Sequence, residues 1–393
     1  MKKDKRKRGK QAFDSPLPAR LAYNPAASAA SGVYSAAVGV RNFAYDALPA
    51  LSRRLDRPVI SVGGIRAGGV GKTPVALLVG RHIIDNCGRG VVFLSRGYGR
   101  VSKKTVIVGP REWADWEEAG DEPAMLHANL PDSWLGIGAD RAAAAKKLSP
   151  LIPERSVFIL DDGFQRRQVR RDLDIVCLSE GAFRDRLMPA GYLREPASSL
   201  ARADVVLVVG AEGRMERLRE VKEAVEREFI HGGSVGAAVN TPIYNNTPVD
   251  NGADSAGAQN PKKPRICAIL LQYPVGWVEA RTGRVSETPP LPRPAVVTGI
   301  ARPERFTAML RSLAVEPSAV YNFRDHYKFK RNDLAFAHNI YLDGVVTTEK
   351  DSVRLLSPEF ADLREVWYLK IGLRFADSGS EAAVLSIING IAS

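Results

Sequence analysis

The sequence predicts an α/β fold: a mostly parallel sheet with flanking helices, a smaller C-terminal α/β unit, and an N-terminal amphipathic helix. Three observations predict it. A glycine-rich loop, Arg66-Ala-Gly-Gly-Val-Gly-Lys-Thr-Pro74, lies directly between two apolar runs, residues 58–62 and 75–79. From Pro58 to about Gly210, short β-branched runs alternate with helical patterns, as parallel strands covered by helices require. A second stretch of the same kind follows a polar interruption.

In chain order, residues 1–25 form a basic tail, in which Lys2, Lys3, Lys5, Arg6, Lys7, Arg8 and Lys10 surround a single acid, Asp4. Such a run reads equally as a solvated tail and as a functional one. In residues 26–57, Val33, Ala37, Val40, Ala44, Leu48 and Leu51 recur at spacings of three and four, with Tyr34, Phe43 and Tyr45 nearby. That stripe suits a helix packed on the core or one lying in a membrane interface behind a polybasic tail. Residues 58–230 carry the strand runs Val59–Val62, Val91–Leu94, Thr105–Val108, Val157–Leu160, Ile175–Leu178 and Val205–Val209. Residues 231–264 turn to Gly, Asn, Pro, Ser and Thr, a linker or insertion. Residues 265–393 form the smaller unit. Strands at Ala295–Thr298 and Gly344–Thr348 flank a helix over Pro303–Leu313, and the last helix can return to the core.

Composition limits the function. With 393 residues, 45% of them hydrophobic, the chain can bury one large or two medium cores. A net charge of +12 calls for an anionic partner: nucleic acid, acidic membrane or phosphorylated substrate. Cys87, Cys177 and Cys267 are far apart and read as core residues, not as a disulfide framework or metal ligands. No segment is long and apolar enough to span a bilayer.

The glycine loop places the sheet in the P-loop NTPase type. Strand, glycine loop and helix is the context in which backbone N–H groups and a helix N-terminus cradle a phosphate. Gly68, Gly69, Val70, Gly71 and Pro74 shape that cradle for a nucleoside triphosphate. Lys72 is placed to reach the β/γ-phosphates, and the Thr73 hydroxyl to meet Mg²⁺. The usual first glycine is replaced by Arg66, with Gly68 and Gly69 compensating. Farther on, Val157-Phe-Ile-Leu-Asp-Asp-Gly-Phe-Gln165 reads as a buried strand delivering Asp161 and Asp162 at its carboxyl edge, where a P-loop protein holds its metal.

Weaker polar clusters lie around these: Ser95-Arg-Gly-Tyr98, Gly120-Asp-Glu-Pro123, Leu187-Met-Pro-Ala-Gly-Tyr-Leu-Arg-Glu-Pro196, Asp325-His326 and Thr348-Glu-Lys-Asp351. Together with Leu51-Ser-Arg-Arg54, Asp140-Arg141, Arg171-Asp172 and Gly299-Ile-Ala-Arg-Pro-Glu-Arg-Phe306, this ordered set resembles the tetraacyldisaccharide 4′-kinase family of lipid A biosynthesis. The resemblance covers roughly residues 50–355.

It implies transfer of the ATP γ-phosphate to the 4′-hydroxyl of a tetraacyldisaccharide 1-phosphate. It also implies a peripheral or monotopic seat on an anionic membrane surface, the cytoplasmic face of the inner membrane. No nucleic acid and no obligate protein partner are expected. Asp121 resembles the family's catalytic base and His326 the histidine paired with it. Lys72 and Mg²⁺, held through Thr73, Asp161 or Asp162 with Glu122, neutralise the transferring phosphoryl group. Gln165 joins the nucleotide-binding residues, and Arg96, Arg166, Arg171 and Arg194 are expected to clamp phosphates of ATP or lipid.

The chain departs from the family pattern at three places. Arg166 stands where many relatives carry His, Tyr327 where a second His is common, and Phe183-Arg-Asp-Arg-Leu187 where Gly and Asn are usual. Two other classes compete from the sequence alone: a GTPase or metal-delivery NTPase, and a nucleic-acid-stimulated ATPase. Against the first, Lys350 directly precedes Asp351, unlike a guanine-reading motif, and Cys or His clusters are missing. Against the second, the positive charge concentrates in the tail, and no nucleic-acid motif is evident.

Overall fold

The computed structural model describes residues 25–231, 264–338, 343–363 and 365–393. The basic tail (1–25) and the polar insertion (231–264) expected from the sequence lie, but for Pro25, His231 and Pro264, outside the described residues. The chain opens with helix α1 (Pro25–Ala47), then β1 (Val59–Gly63), α2 (Lys72–Cys87), β2 (Gly90–Ser95) and β3 (Val106–Val108). Helices α3 (Trp116–Ala119) and α4 (Asp121–Asn129) follow, then β4 (Trp134–Ile137), α5 (Arg141–Leu148), β5 (Ser156–Asp161) and β6 (Leu173–Leu178). Next come β7 (Val205–Ala211), α6 (Met215–Val225), β8 (Ile266–Glu279), β9 (Val285–Ser286) and β10 (Ala295–Thr298). Helix α7 (Pro303–Ser312), β11 (Ala319–Asn322), β12 (Val345–Thr348), α8 (Glu349–Leu355), β13 (Val366–Phe375) and α9 (Ser378–Ala392) complete it.

The six apolar runs of the first part all become strands. β1, β5 and β6 are buried at every position, because helices cover both faces. On one face α2, α4 and α9 pack over Ile60, Phe93, Ile159 and Ile175. On the other, Ala142, Ala144 and Leu148 of α5 pack on Val92 and Phe158. Each fully buried Ile or Phe contributes about 1.5–3 kcal/mol relative to exposure.

All thirteen described strands join one sheet, in the order β11-β10-β12-β13-β8-β7-β6-β1-β5-β2-β4-β3, with β9 paired to β8. β8 is the element that organises it. Its first half runs parallel to β7, from Val205↔Ile266 to Ala211↔Gln272. Its second half runs antiparallel to β13, from Phe375↔Leu270 to Trp367↔Glu279. β10 and β12 are parallel to β13, so they run back toward the first set. The carboxyl ends of the two parallel sets therefore face each other across a cleft. Pro274 and Gly276 interrupt β8 where the ladder shifts register opposite Lys370 and Ile371. A bulge is where a strand tolerates both residues.

Helix α1 turns its sequence stripe outward. Val33, Val40 and Phe43 are 74%, 71% and 72% exposed, while Ser31, Tyr34, Arg41 and Asn42 face the body. Those inward residues hold it by hydrogen bonds. Arg41 and Asn42 both donate to the buried Glu195, each at 2.9 Å, and Tyr34 donates to the Arg194 carbonyl at 3.0 Å.

Candidate active site

The glycine loop joins β1 to α2. Gly68 and Gly71 have φ of 88° and 84°, the left-handed region that side chains disfavour. At Gly71 a Cβ would also lie 2.8 Å from the Val209 side chain. Arg66, in the usual first-glycine place, donates to Asp185 at 2.6 Å and stands over the Tyr192 ring at 5.0 Å. The Ala67 N–H donates to the Tyr192 carbonyl, and the Arg194 N–H to the Ile65 carbonyl. The rigid loop after Leu187 is thus stitched to the glycine loop.

β5 delivers its two acids beside Lys72. Asp162 has φ of 50°, a strained conformation of the sort concentrated at functional sites. Its Oδ2 accepts from Arg194 at 2.5 Å. Lys72 stands 3.6 Å from Oδ1, an ion-pair distance that leaves this buried oxygen without a hydrogen bond. Burial raises the proton affinity of Asp162, but the charges of Lys72 and Arg194 outweigh it and hold the carboxyl low. Asp161 goes the other way. Burial, reinforced by the charges of Glu122 and Asp162, pushes it up to about 7, against the pull of Lys72 and a hydrogen bond from Ser95.

A carboxyl raised in the fold stabilises below its unfolded pKa, and that stability is lost as pH rises through the folded value. Above about pH 7, Asp161 is therefore a buried anion that costs the fold stability. Asp161→Asn is expected to raise the melting temperature at pH 8 in buffer free of nucleotide and divalent metal. The gain should vanish below about pH 4, where both states bind the proton. Equal melting temperatures across that range would refute the assignment.

Asp121 reaches the same region through a glycine contact. Gly120, at φ 96°, would place a Cβ 2.9 Å from the Gly97 Cα, so only paired glycines let the loop after β2 lie against the start of α4. Across the cleft, the loop after β11 places His326 Nδ1 2.9 Å from Asp121 Oδ2 and 3.2 Å from Oδ1. His326 is itself at φ 57°, with its N–H on the Gly299 carbonyl. Lys350, at the start of α8, donates to His326 Nε2 and to Asp325, both at 3.1 Å, and lies 3.7 Å from Glu122. An ammonium has no acceptor, so Nε2 accepts and Nδ1 carries the proton given to Asp121.

Buried Arg354 stands 3.8 Å from Asp121 and pairs with Asp351. Burial tends to raise the Asp121 carboxyl, but the His326 hydrogen bond, Lys350 and Arg354 together hold it below the usual carboxylate range. Asp121 is 4% exposed and sits behind the cleft wall formed by His326 and Glu122.

The cleft has a volume of about 1640 Å³ and is lined by the whole run from Gly68 to Pro74, with Asp161, Asp162, Gln165, Arg96, Arg166 and Arg194. Gln165 donates to the Gly64 carbonyl at 3.0 Å, leaving its buried oxygen without a donor. Arg96 and Arg166 converge there with Arg141. None of the three makes an ion pair among the described residues. Burial lowers the Arg141 guanidinium to about 10, helped by repulsion from Arg166 and Arg96. With no direct ion pair, and only the charges of Asp161 and Asp162 to offset their mutual repulsion, these guanidinium forks suit an anion. Arg171 is the exception among the expected clamps. It lies outside the cleft, in a nearly buried pair with Asp174 at 2.9 Å, so its role in the fold is to brace the start of β6.

A family model described as tetraacyldisaccharide-1-P 4′-kinase matches residues 25–389. This chain belongs to that family. A tetraacyldisaccharide 4′-kinase of Geobacter metallireducens is 33% identical over 82% of this chain and 86% of its own length. One from Chlorobium phaeovibrioides is 32% identical over 88% and 92%. The crystal structure of LpxK from Aquifex aeolicus in complex with ATP superimposes with a TM-score of 0.66 at 26% identity, covering 92% of this chain and 97% of that one.

Within the tetraacyldisaccharide-1-P 4′-kinase family, the three departures acquire physical meaning. Arg166 completes the triple-arginine cluster. Tyr327 turns away to donate to Asp333 and stack on Phe323, leaving His326 as the imidazole on Asp121. Asp185, in the unusual segment before Pro189, is the partner of Arg66. Sequence reasoning missed Arg141 and Lys350 as site residues. Both stand in motifs that were visible, Asp140-Arg141 and Thr-Glu-Lys-Asp, but nothing in a linear sequence shows that β4 and β12 end at the same cleft.

Proposed function

We propose that the chain transfers the γ-phosphate of ATP to the 4′-hydroxyl of a tetraacyldisaccharide 1-phosphate, in the cleft between a P-loop unit (residues 58–230) and a smaller unit (residues 265–393). Family membership makes it an ATP-dependent kinase acting on a hydroxyl group. The observation that carries the site assignment is the Asp121–His326 contact, which joins residues 205 positions apart across that cleft.

The roles follow from the geometry. Gly68–Thr73 cradle the triphosphate with their N–H groups, while Lys72 takes up charge on the transferring phosphoryl group. Asp121, oriented by His326, holds the proton released by the sugar hydroxyl. Arg194 braces Asp162, and Arg96, Arg141 and Arg166 receive an anionic phosphate of the lipid. Mg²⁺ fits the donor set: the orphaned Asp162 Oδ1, the raised Asp161, Thr73 and Glu122 are hard oxygens. Among the described residues no three His, Cys, Asp or Glu side chains are grouped closely enough to hold a metal by themselves, so the ion would take only some of these oxygens and keep waters and phosphate oxygens for the rest. When bound, the ion neutralises phosphate charge. The decisive test is transfer from γ-labelled ATP to the tetraacyldisaccharide 1-phosphate in detergent micelles. A labelled lipid that disappears with Lys72→Ala supports the kinase. ATP turnover stimulated only by nucleic acid or protein overturns it.

The outward stripe of α1 supports a seat on an anionic inner-membrane surface. No described helix is long and apolar enough to cross a membrane. The stripe stays exposed although the helix is well anchored, which is how an interfacial helix meets lipid. Val40→Glu with Phe43→Glu is expected to reduce sedimentation with anionic vesicles by at least about tenfold, since each buried apolar side chain is worth about 1.5–3 kcal/mol. Unchanged sedimentation would refute this seat.

A further inference from the structure

Arg302 lies at the turn between β10 and α7, on the smaller unit's side of the cleft. Its neighbour Ala301 is the nearest atom to Gly68, 3.9 Å from where a Cβ would sit on that glycine. The turn therefore abuts the phosphate cradle at Gly68. Three arginines meet here, and two are committed. Arg66 is paired with Asp185, and Arg305 with Glu180 at the end of β6, at 2.9 Å. Arg302 is half-buried, and its side chain makes no hydrogen bond or ion pair among the described residues. Burial and repulsion from Arg66 and Arg305 weaken its hold on its proton, though a guanidinium stays charged. The Arg305–Glu180 pair joins the start of α7 to the P-loop unit.

We propose that Arg302 is a catalytic arginine supplied in cis by the smaller unit, contacting the phosphates of ATP as the γ-phosphoryl group transfers. This rests on the kinase reading above. In the step, the 4′-oxygen forms a bond to the γ-phosphorus while its proton passes to Asp121. The bond from the γ-phosphorus to the β,γ-bridging oxygen breaks, and its electron pair stays on ADP. Negative charge grows on that bridging oxygen and on the equatorial oxygens. A guanidinium on the cleft wall beside the loop adds its positive charge to that of Lys72 there. Arg66 cannot serve, because Asp185 holds it.

The test compares Arg302→Ala and Arg302→Lys with the wild type, in micelles of tetraacyldisaccharide 1-phosphate with magnesium. Arginines of this type are worth about a thousandfold or more in kcat. Arg302→Ala should lose about that much, with binding of a fluorescent ATP analogue within threefold of wild type. Aluminium fluoride with ADP mimics the planar transferring group. The wild type should bind fluorescent ADP more tightly when fluoride and aluminium are added, Arg302→Ala should not, and guanidinium chloride should restore part of its rate. Arg302→Lys, which keeps the charge, should be intermediate.

Retained tightening in Arg302→Ala would overturn the proposal. So would a loss confined to ATP binding with kcat intact, which would make Arg302 an ordinary nucleotide contact. If the wild type labelled no lipid yet tightened in an Arg302-dependent way, the acceptor assignment would fail while the arginine's role stood.

Discussion

Asp121→Asn lowers kcat for lipid phosphorylation by about 10²–10⁴, the range of a positioned general base. ATP binding is unchanged, because the carboxylate stands behind the cleft wall and touches no predicted nucleotide contact. The substitution keeps the shape and can still meet His326, but an amide cannot take the proton. Because His326, Lys350 and Arg354 hold the Asp121 carboxyl below the usual range, the base is ionised throughout the neutral region. His326→Asn should cost less alone and little more in the Asp121→Asn background, since two groups that act as a unit are not additive. Single-turnover transfer measured beside equilibrium binding of a fluorescent ATP analogue checks this. Asp121→Asn turning over within threefold of wild type would remove Asp121 from the mechanism.

Lys72→Ala should cost at least about 10²–10³ in kcat/KM, as the loss of one preorganised charge-stabilising donor does. The effect has two sources. The variant loses the cation that meets the β/γ-phosphates. It also strips Asp161 and Asp162 of a counter-charge, leaving Arg194 alone on Asp162. Both carboxyls then hold their protons more tightly, and the demand for magnesium rises. Lys72→Arg, which keeps the charge in a larger head, should recover part of the loss. Turnover titrated against ATP and magnesium resolves the two effects. Near-normal turnover of Lys72→Ala at saturating ATP would show that the loop binds phosphate without Lys72.

Much of this was legible in the linear order of residues. The P-loop declared itself because glycines, lysine and threonine must be contiguous there, and the apolar strands because a doubly covered parallel strand is apolar at consecutive positions. Asp161 and Asp162 could be placed because strand polarity puts them at the carboxyl edge. β8 was not legible as a strand, since Pro274 and Gly276 are turn signals until a bulge accommodates them. Its two-way pairing was invisible for the same reason. Arg171 was misread. A guanidinium fork matches phosphate oxygens wherever it stands in the sequence, and only packing shows that Asp174 is its partner.

The stripe on α1 shows the same division. Its period predicted a helix, but period alone cannot say which face meets the body. Hydrogen bonds from Ser31, Tyr34, Arg41 and Asn42 settled that, by holding the polar face inward.

By itself, then, the sequence determined what depends on neighbours in the chain: the phosphate loop, the strand–acid unit and the helical period. Tertiary structure alone decided which distant carboxyl ends would share a cleft. Whether Asp121 meets His326, whether Arg141 joins Arg96 and Arg166, and whether Ala301 comes up to Gly68 all depend on one strand, β8, pairing parallel on one side and antiparallel on the other. Backbone hydrogen bonding permits either direction locally, so the reversal that turns the two parallel sets face to face is set by the packing of the whole sheet.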